Sequence, residues 1–453
     1  MAMLPPLFPS LVRNIIYPIY RGLRGDRLLF MLEELERNQW LSKEEIEEIQ
    51  WRKIEYFLKQ AVTYVPYYHD LLGEVGLRIE EIQNPTDFRK IPFLTKDIIR
   101  RESSRLVTKD PLRRGYPSST GGSTGEPLYF YNDQGAGPLR RANTLRGYRW
   151  AKVDIGDKQA LFWGFALNRS AKERLIESVK NYFNNIVTFS TFDMSDETMR
   201  RYASRLRFYR PDYIVGYPSA LILFTQYCKW SKTDVPRLRA VVTSGEKLFP
   251  QQREIIEEVF TCPVFDRYGS REFASIAHEC EEHKGLHIFT DLCFVEVIHD
   301  SGRPAQSGEV GELVVTDLLN LYMPFIRYRT GDLAVPTERE CSCGRGLPLL
   351  DRIEGRAFDY ITTPSGKRVG GFFWTWLSRA VHGIKRFQIE QRVRSEVIFR
   401  IIPGPDWKNE YRQILEGRIK ETCGENFQVT FMIVDEIPLT PLGKSRFIIS
   451  KLE

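Results

Sequence analysis

The clearest hydrophobic pattern in the first part of the chain lies over residues 51–69. Apolar positions recur there every three or four residues, which is the spacing of one face of an α-helix. These positions are Ile54, Phe57, Leu58, Ala61, Val62 and Val65. The pattern predicts an amphipathic helix packed on the core, with Pro66 at its end or at a bend. We expect His69, just beyond, to be a surface or packing residue.

Short apolar runs alternate with helical patterns through the middle of the chain. Such runs, bounded by helical segments, are typical of buried strands in a layered α/β domain. The predicted strands cover residues 159–165, 185–189, 213–215 and 240–243, and a helix is predicted over 195–209.

The last hundred residues show a different order of elements. Strand patterns cover residues 385–391, 396–402 and 427–434, and a helical pattern covers 407–422. This order predicts a small α+β domain. We therefore predict an α/β protein with a large layered N-terminal domain over residues 1–355, which includes a helical arm over 1–75, and a small C-terminal domain over 356–453.

Composition narrows the functional classes. The chain has 453 residues, of which 42% are hydrophobic and 27% are charged, and a net charge of +6. These values are typical of a soluble globular protein with more than one domain. No basic block interleaved with aromatic residues suggests nucleic-acid binding. The seven cysteines, an odd number without a signal peptide, favour a reducing compartment, so we expect a cytoplasmic protein.

The apolar N-terminus needs a separate test for membrane insertion. Pro5, Pro6, Pro9, Pro18 and Arg13 interrupt any helix that could span a bilayer. We interpret this segment as an arm that lies on the protein body and could contribute to a homodimer contact. Peripheral membrane contact is the less favoured alternative, through four apolar side chains: Ile15, Ile16, Tyr17 and Ile19.

A run of hydroxyl residues and glycines, SSTGGSTGEP, occupies residues 118–127. It offers almost no apolar surface for a core, but glycines allow main-chain N–H groups to converge on an anion and the hydroxyls add donors. The run therefore predicts a phosphate-binding loop, and a polar linker is the alternative. It has neither the lysine of a P-loop nor the spacing of a dinucleotide-binding fingerprint.

This run resembles the phosphate loop of the adenylate-forming superfamily, in particular the branch that contains phenylacetate–CoA ligase and the CapK-like proteins. The resemblance implies a large domain of adenylate-forming type followed by a mobile C-terminal lid. It also implies that the loop holds the β- and γ-phosphates of ATP. The matching residues are Ser119, Thr120, Gly122, Ser123, Thr124 and Gly125.

Two further motifs resemble nucleotide-binding segments of this superfamily. Ser244, Gly245 and Glu246 follow a predicted strand and resemble the turn that approaches adenine. Residues 268–272, YGSRE, resemble the motif YGxTE. By this resemblance the ring of Tyr268 lies near adenine, and Glu272 binds Mg²⁺. The segment includes Gly269 and Ser270, the latter implied to touch phosphate, and it departs from the family at Arg271, where threonine is usual.

Three motifs towards the C-terminus complete the family order. Residues 328–332, YRTGD, match the superfamily motif whose aspartate binds the ribose hydroxyls, here Asp332. Arg356 corresponds to an arginine that meets the ribose, in a hinge that departs from the pattern at Phe358 and Asp359. Lys444 matches the lysine of PxTxxGK, which implies that the lid brings it to the α-phosphate. Lys444, Thr124 and Glu272 are the expected catalytic residues.

A cluster of soft metal ligands lies between these motifs. Cys341 and Cys343 form a CxC pair, and Cys280, His283 and His287 occur about sixty residues earlier. Four such ligands suit a structural tetrahedral Zn²⁺, and buried free thiols are the alternative. The CapK-like branch has the same pattern, and the resemblance favours His287 over His283.

Together the motifs predict an AMP-forming ligase that uses ATP and Mg²⁺ to activate a carboxylic acid as its acyl-adenylate and transfers the acyl group to CoA. The first alternative is an adenylating ligase whose acceptor is an amine, a hydroxyl or a carrier thiol in a biosynthetic or capsular polysaccharide pathway. The second is a nucleotide-binding module that has lost catalysis, with Arg271 and Phe358 as signs of that loss. The sequence does not identify the acid.

Overall fold

The structure is a computed structural model. It describes residues 6–438 and 447–452, except for 24, 26, 121–127, 165–170, 192–193, 357–359, 367, 371–373, 375–376, 378–380 and 382. The chain divides into two compact units, Met1–Ile353 and Glu354–Glu453. Within the described residues, no helix combines the length and the hydrophobicity that crossing a bilayer requires.

The first unit opens with helices. A continuous helical arm consists of α1 (Pro9–Leu11), a π-helical turn (Val12–Ile16) and α2 (Tyr17–Leu23). The next helices are α3 (Leu28–Asn38), α4 (Lys43–Tyr64), α5 (Pro66–Glu74), a 3₁₀ turn (Ile79–Glu81), α6 (Pro85–Phe88) and α7 (Lys96–Arg101).

Helix α4 has the sequence signals expected of its ends. Ser42 and Glu45 form a capping box at its start, in which each side chain accepts a hydrogen bond from the other residue's backbone N–H group. The predicted apolar face is buried, including Ile54, Phe57 and Leu58. The helix ends at Tyr64, and Pro66 starts α5, where a missing N–H group costs no helical hydrogen bond.

An 11-stranded sheet forms the centre of the first unit. Its strand order is β10-β11-β12-β13-β9-β8-β7-β6-β5-β3-β4. The strands are β3 (Gln159–Trp163), β4 (Ile186–Ser190), β5 (Tyr213–Gly216), β6 (Ala240–Ser244), β7 (Val264–Ser270), β8 (Ala274–Glu279), β9 (Leu286–Ile288), β10 (Cys293–Ile298), β11 (Gly311–Asp317), β12 (Tyr328–Pro336) and β13 (Leu349–Arg356). Strands β3 to β7 pair in parallel, and β7 pairs antiparallel with β8.

The parallel strands are connected by helices, which bury both faces of that half of the sheet. The helices of this region are α8 (Gly137–Trp150), α9 (Ala171–Phe183), α10 (Asp196–Tyr209), α11 (Pro218–Trp230) and α12 (Pro250–Phe260). A separate antiparallel hairpin, β1 (Gly115–Ser119) with β2 (Tyr129–Asp133), flanks the predicted phosphate loop. The loop therefore begins and ends at the tip of a paired hairpin.

The second unit has its own sheet and core. Strands β16 (Ile384–Val393), β17 (Glu396–Pro403), β18 (Gln428–Ile433) and β19 (Ile448–Ser450) form a sheet in the order β18-β17-β16-β19. Helix α13 (Tyr411–Cys423) contributes Leu415 and Ile419 to a core that also contains Trp374 and Phe399. A short hairpin, β14 (Tyr360–Thr362) with β15 (Arg368–Gly370), completes the described part of this unit.

The predicted fold class, a large α/β domain with a small C-terminal α+β domain, is confirmed. The four strands predicted between residues 159 and 243 correspond to β3, β4, β5 and β6. His69 is an exposed side chain, 3.0 Å from Asp70, as expected of a surface residue.

Candidate active site

The described end of the predicted phosphate loop is closed by two hydrogen bonds. The N–H group of Thr120 donates to the carbonyl of Leu128 at 2.9 Å, and the N–H group of Leu128 donates to Thr120 Oγ1 at 3.1 Å. These bonds join the two ends of the loop at the tip of the hairpin. Four predicted phosphate-binding residues lie outside the described residues: Gly122, Ser123, Thr124 and Gly125.

Arg271 connects the phosphate loop to strand β7. Its Nη1 donates to the main-chain carbonyl of Ser119 at 3.0 Å, across 152 positions of sequence. Ser119 is the last residue of β1, and Arg271 follows the last residue of β7. The structure thus brings the start of the phosphate loop to the YGSRE segment.

The turn at residues 244–246 follows strand β6, as the sequence predicts. Gly245 has a φ of +81°, which glycine adopts without the penalty that a Cβ brings. The carboxylate of Glu246 accepts hydrogen bonds from the N–H group and the hydroxyl of Ser219, at 2.9 and 3.0 Å. Since Ser219 lies in the first turn of α11, Glu246 also caps that helix and compensates its positive dipole end.

Strand β7 carries Tyr268, one of the residues that the sequence predicts to bind the nucleotide. The Tyr268 hydroxyl donates to Asp332 Oδ2 at 2.7 Å, which joins β7 to β12. The position of Asp332 depends on the turn before it: its N–H group donates to Thr330 Oγ1 at 3.1 Å, and Gly331 has a φ of +78°. The predicted adenine-stacking and ribose-binding residues are therefore in direct contact.

Glu272 contacts strand β12, which also carries Asp332. Its side chain is 8% exposed, and its Oε1 accepts a hydrogen bond from the Tyr328 hydroxyl at 3.3 Å. Tyr328 begins β12, four residues before Asp332. The contact fixes the carboxylate at the rim of the core instead of leaving it in solvent.

An irregularity near the end of β7 requires glycine at position 269. A Cβ there would lie 2.1 Å from the Ala274 carbonyl oxygen, so any larger residue would push the two strands apart. The register of β7 and β8 shifts between Tyr268 and Gly269, and Ser270 Oγ accepts from the Phe273 N–H group at 3.3 Å. This bulge orients Arg271 and Glu272 away from the strand ladder.

Sequence reasoning missed the side chains that support this edge of the sheet. Arg267 donates from Nε to Ser244 Oγ at 3.3 Å and from Nη1 to the Tyr148 hydroxyl at 3.1 Å. These contacts link the turn after β6 to helix α8. Nothing local in the sequence indicates them, because Tyr148 lies 119 positions from Arg267.

A second missed network joins strands β6, β7 and β8 and contains the buried carboxylate of Glu279. Asp266 Oδ1 accepts from Thr243 Oγ1 at 3.0 Å, and the Asp266 N–H group donates to Glu279 Oε2 at 2.8 Å. Arg253 Nη2 donates to Glu279 Oε1 at 2.6 Å. Burial and the neighbouring Glu279 raise the pKa of Asp266 to about 7. Burial also acts to raise the pKa of Glu279, but hydrogen bonds from His283 and Arg253 and the charge of Arg253 outweigh it and hold that pKa below its ordinary value.

The predicted metal ligands converge at another point of the first unit. One ligand atom from each of Cys280, His287, Cys341 and Cys343 lies within 4.8 Å of all the others. The Sγ atoms of Cys280 and Cys341 are 3.6 Å apart, and Cys343 Sγ is 3.3 Å from His287 Nε2. Ligands about 2.3 Å from a tetrahedral ion are about 3.7 Å from one another, so the spacing fits such an ion.

The orientation of His287 also suits a metal ligand. The Nδ1 atom of His287 is 2.8 Å from the Leu347 carbonyl oxygen. A carbonyl can only accept a hydrogen bond, so Nδ1 carries the proton. The other ring nitrogen, Nε2, then presents its lone pair to the cysteines. Burial lowers the pKa of His287 to about 4, so the ring is neutral. His283 faces elsewhere, with Nδ1 3.3 Å from Glu279 Oε2 and its ring against Phe265. His287 is thus the histidine of the cluster.

Comparison with known proteins supports the same family. Residues 361–451 match the CapK C-terminal domain. The chain is 24% identical to protein CapK of Staphylococcus aureus over 99% of this chain and 98% of that protein. It is 29% identical to phenylacetate-coenzyme A ligase of Escherichia coli K12 over 71% of this chain and 73% of the relative.

The chain is a homologue of CapK and of the phenylacetate–CoA ligases. A crystal structure of 2-hydroxyisobutyryl-CoA ligase in the postadenylation state, with the acyl-adenylate R3-HIB-AMP, aligns with a TM-score of 0.75 over 92% of this chain and 91% of that one, at 21% identity. An open conformation of the same ligase aligns with a TM-score of 0.61. The fold is therefore that of adenylate-forming CoA ligases.

Two predicted residues of this CapK homologue belong to the second unit. Arg356 is the last residue of β13, and its side chain is not among those described. Lys444 lies outside the described residues, as do the hinge positions Phe358 and Asp359. Their roles remain predictions from the sequence motifs.

Proposed function

We propose that this protein is an AMP-forming acid–thiol ligase that activates a carboxylic acid with ATP. A carboxylate oxygen attacks the α-phosphorus, the bond between the α-phosphorus and the α,β-bridging oxygen breaks, and pyrophosphate leaves with that electron pair. In the second step the sulfur of CoA attacks the acyl carbon, and AMP leaves as the mixed-anhydride bond breaks. The nucleophile in each step belongs to a substrate, so no covalent enzyme intermediate is needed.

One observation supports the proposal above the others: the predicted nucleotide-binding residues are linked by direct contacts. Arg271 bonds to Ser119 at the phosphate loop, Tyr268 bonds to Asp332, and Glu272 bonds to Tyr328. These contacts bring together segments that are far apart in sequence, at the end of strand β7. A set of motifs that matched by chance would have no reason to meet at one place.

Each described side chain has a proposed task. Asp332 accepts hydrogen bonds from the ribose hydroxyls, for which an ionised carboxylate offers two acceptor oxygens. Tyr268 holds that carboxylate in orientation and presents its ring to the base. Ser119, Thr120 and the turn at Ser244 supply polar groups around the phosphates and the base. Arg271 adds positive charge where the phosphates would lie.

Glu272 is the residue that would hold Mg²⁺. The carboxylate oxygens of Glu272 are ligands of the type that Mg²⁺ prefers. Because the Glu272 carboxylate is only 8% exposed, placing a polyphosphate beside it would require a cation between the two anions. When bound, the ion would offset the charge of the phosphate oxygens. Lys444 is proposed to supply a further positive charge at the α-phosphate, as a residue of a C-terminal lid.

Pyrophosphate release with a panel of aryl, alkyl and hydroxy acids tests the first step. Acid-dependent release is expected, and Glu272→Gln and Lys444→Ala should each lower it by about 100-fold or more while ATP binding persists. The exposed Asp234→Asn variant is the control for general effects of substitution. ATP binding without release for any acid would favour the non-catalytic nucleotide-binding module.

The acceptor in the second step needs its own experiment. The C-terminal match is to a CapK domain, and the match to CapK covers 99% of the chain against 71% for a named CoA ligase. This difference favours an acceptor other than CoA as the second candidate. Acyl transfer should be measured with CoA, amines, hydroxyl compounds and carrier thiols. If turnover does not depend on CoA and increases when an amine is added, the amine would replace CoA as the proposed acceptor.

We also infer that Cys280, His287, Cys341 and Cys343 bind a structural Zn²⁺. With four protein ligands the ion would have no open position, so its role would be to join the loop between Cys341 and Cys343 to strands β8 and β9. Elemental analysis of the purified protein tests the inference, with about one zinc per chain as the expected result.

A further inference from the structure

The helical arm at the N-terminus exposes an apolar stripe that the ligase function does not explain. The exposed side chains recur every three or four positions: Phe8 (79% exposed), Leu11 (37%), Ile15 (51%), Ile19 (59%) and Leu23 (84%). This is the spacing of one face along a helix. Isolated exposed apolar residues are ordinary, but a continuous stripe on one helix is a feature of interaction surfaces.

The opposite face of the arm is fixed to the protein body. Val12 and Tyr17 are buried, and Tyr17 packs in a cluster with Leu28 and Leu145. The stripe is therefore presented outwards by a helix that already has a packed inner face.

Hydrogen bonds anchor the arm at two points. The N–H group of Leu7 donates to Asn185 Oδ1 at 2.8 Å, and Asn185 Nδ2 donates to the Leu7 carbonyl at 2.9 Å. Arg13 Nε donates to the Ile155 carbonyl at 2.9 Å, and its Nη2 pairs with Asp157 at 3.1 Å. These bonds prevent the arm from turning its apolar face inwards.

A second apolar stripe begins close to the first anchor point. Asn185 follows helix α9 by two residues, and that helix exposes Leu175 (63%), Ile176 (57%), Val179 (48%) and Phe183 (46%). The described structure thus has two helices with exposed apolar faces whose ends are joined through Leu7 and Asn185.

The charges of the arm decide between two kinds of partner. Residues 6–27 contain four arginines, Arg13, Arg21, Arg24 and Arg27, and one acidic residue, Asp26. Arg13 pairs with Asp157 on the protein body, and Arg27 is an exposed side chain. A two-fold contact between identical arms would bring these like charges together. An anionic lipid surface would instead attract them while the apolar stripe enters the boundary between headgroups and acyl chains.

We propose that residues 9–23 form an amphipathic helix that lies in the plane of a membrane and binds anionic lipid. The helix inserts Leu11, Ile15 and Ile19, and the exposed Arg27 contacts the headgroups, while Arg13 stays paired with Asp157. The proposal is independent of the ligase activity and places the enzyme at a lipid surface.

Vesicle co-sedimentation of the full chain tests the proposal. Binding should be strong to phosphatidylcholine vesicles that contain phosphatidylglycerol, weak to phosphatidylcholine alone, and reduced by added salt. The triple variant Leu11→Gln, Ile15→Gln, Ile19→Gln should reduce binding by more than about tenfold, because three apolar side chains no longer leave water. The substituted residues are exposed, so the fold should be preserved.

A matched control changes three apolar residues that are exposed elsewhere. Leu112→Gln, Phe208→Gln and Val310→Gln alter side chains that are 87%, 61% and 40% exposed, and together they should leave vesicle binding unchanged. Ile15→Trp provides an independent measurement, since its fluorescence should shift to the blue when anionic vesicles are added.

Several results would overturn the proposal. Equal binding by the two triple variants, or no fluorescence shift for Ile15→Trp, would exclude insertion of the arm. If the wild-type chain does not bind vesicles but sediments as a dimer, and the triple variant of the arm sediments as a monomer, the partner is a second copy of the chain. Equal binding to neutral and anionic vesicles would remove the role of Arg27.

Discussion

The hydroxyl of Tyr268 donates a hydrogen bond to Oδ2 of Asp332 at 2.7 Å, across 64 positions of sequence. The bond joins the ring proposed to face adenine to the carboxylate proposed to hold the ribose. Because charge-assisted hydrogen bonds are short and directional, it holds the carboxylate in place before any nucleotide binds. In the proposed nucleotide complex, base and ribose recognition would therefore be linked through one contact.

Tyr268→Phe tests this link, since it retains the ring and removes the hydroxyl. We expect the KM for ATP to rise by about 10- to 100-fold, because a hydrogen bond to a charged group contributes about 1.5–3 kcal/mol, while kcat changes much less. Steady-state pyrophosphate release at varied ATP gives both constants. Tyr56→Phe, at a side chain that is 54% exposed, is the control. An unchanged KM would show that the bond does not orient Asp332 for ATP.

Arg271 offers a second test, because it stands where the superfamily usually has threonine. Its bond to the Ser119 carbonyl connects the phosphate loop to the end of β7. Arg271→Thr removes both this bond and a positive charge, so we expect weaker ATP binding and slower adenylation. Arg271→Lys keeps the charge and should restore part of the rate if charge is the main contribution. If both variants lose the same activity, the hydrogen bond to Ser119 is the more important contribution.

Much of the fold could be predicted from local patterns. Strands β5 and β6 were predicted to within a residue or two, because strands buried on both faces are short continuous apolar runs. The antiparallel half of the sheet was not predicted, since its strands contain buried polar residues. Glu296 in β10 is one example: it pairs with Arg327 at 2.9 Å, a partner that local sequence does not reveal.

The candidate site was likewise predictable from local sequence but not in its long-range contacts. Motifs that are contiguous in sequence, such as YGSRE and YRTGD, could be found without a structure. The contacts between motifs could not, because Arg271 and Ser119 are 152 positions apart and Tyr328 and Glu272 are 56 apart. The arm shows a related difference: Tyr17, named as a possible membrane contact from sequence, is buried, whereas Leu23 is exposed.

The metal cluster allows a comparison of two neighbouring histidines. His287→Asn removes the ring that faces Cys343, so zinc content should fall well below about one ion per chain and the unfolding temperature should drop. His283→Asn should leave the zinc content unchanged, because its ring contacts Glu279 and Phe265 instead. Elemental analysis and thermal unfolding measure both effects. Equal zinc loss in the two variants would contradict the assignment of His287.

The neighbouring carboxylates of Asp266 and Glu279 predict a pH dependence of stability. Burial and the charge of Glu279 raise the pKa of Asp266 to about 7 in the folded state, against an ordinary value of 3.8. The folded state therefore binds this proton more tightly than the unfolded chain does. The stabilisation is complete below the unfolded pKa and decreases as the pH rises through the folded pKa.

Asp266→Asn keeps an oxygen for the Thr243 hydroxyl and removes the charge beside Glu279. Relative to wild type, the variant should gain in free energy of unfolding as the pH rises from about 4 to about 7 and keep a constant advantage above that range. Arg253, which bonds to Glu279, and His283, 3.3 Å from it, stay in place, so the difference reports on position 266. Urea unfolding at a series of pH values measures it, with the exposed Asp234→Asn as control. A difference that is independent of pH would mean that Asp266 has the same pKa in the folded and unfolded states.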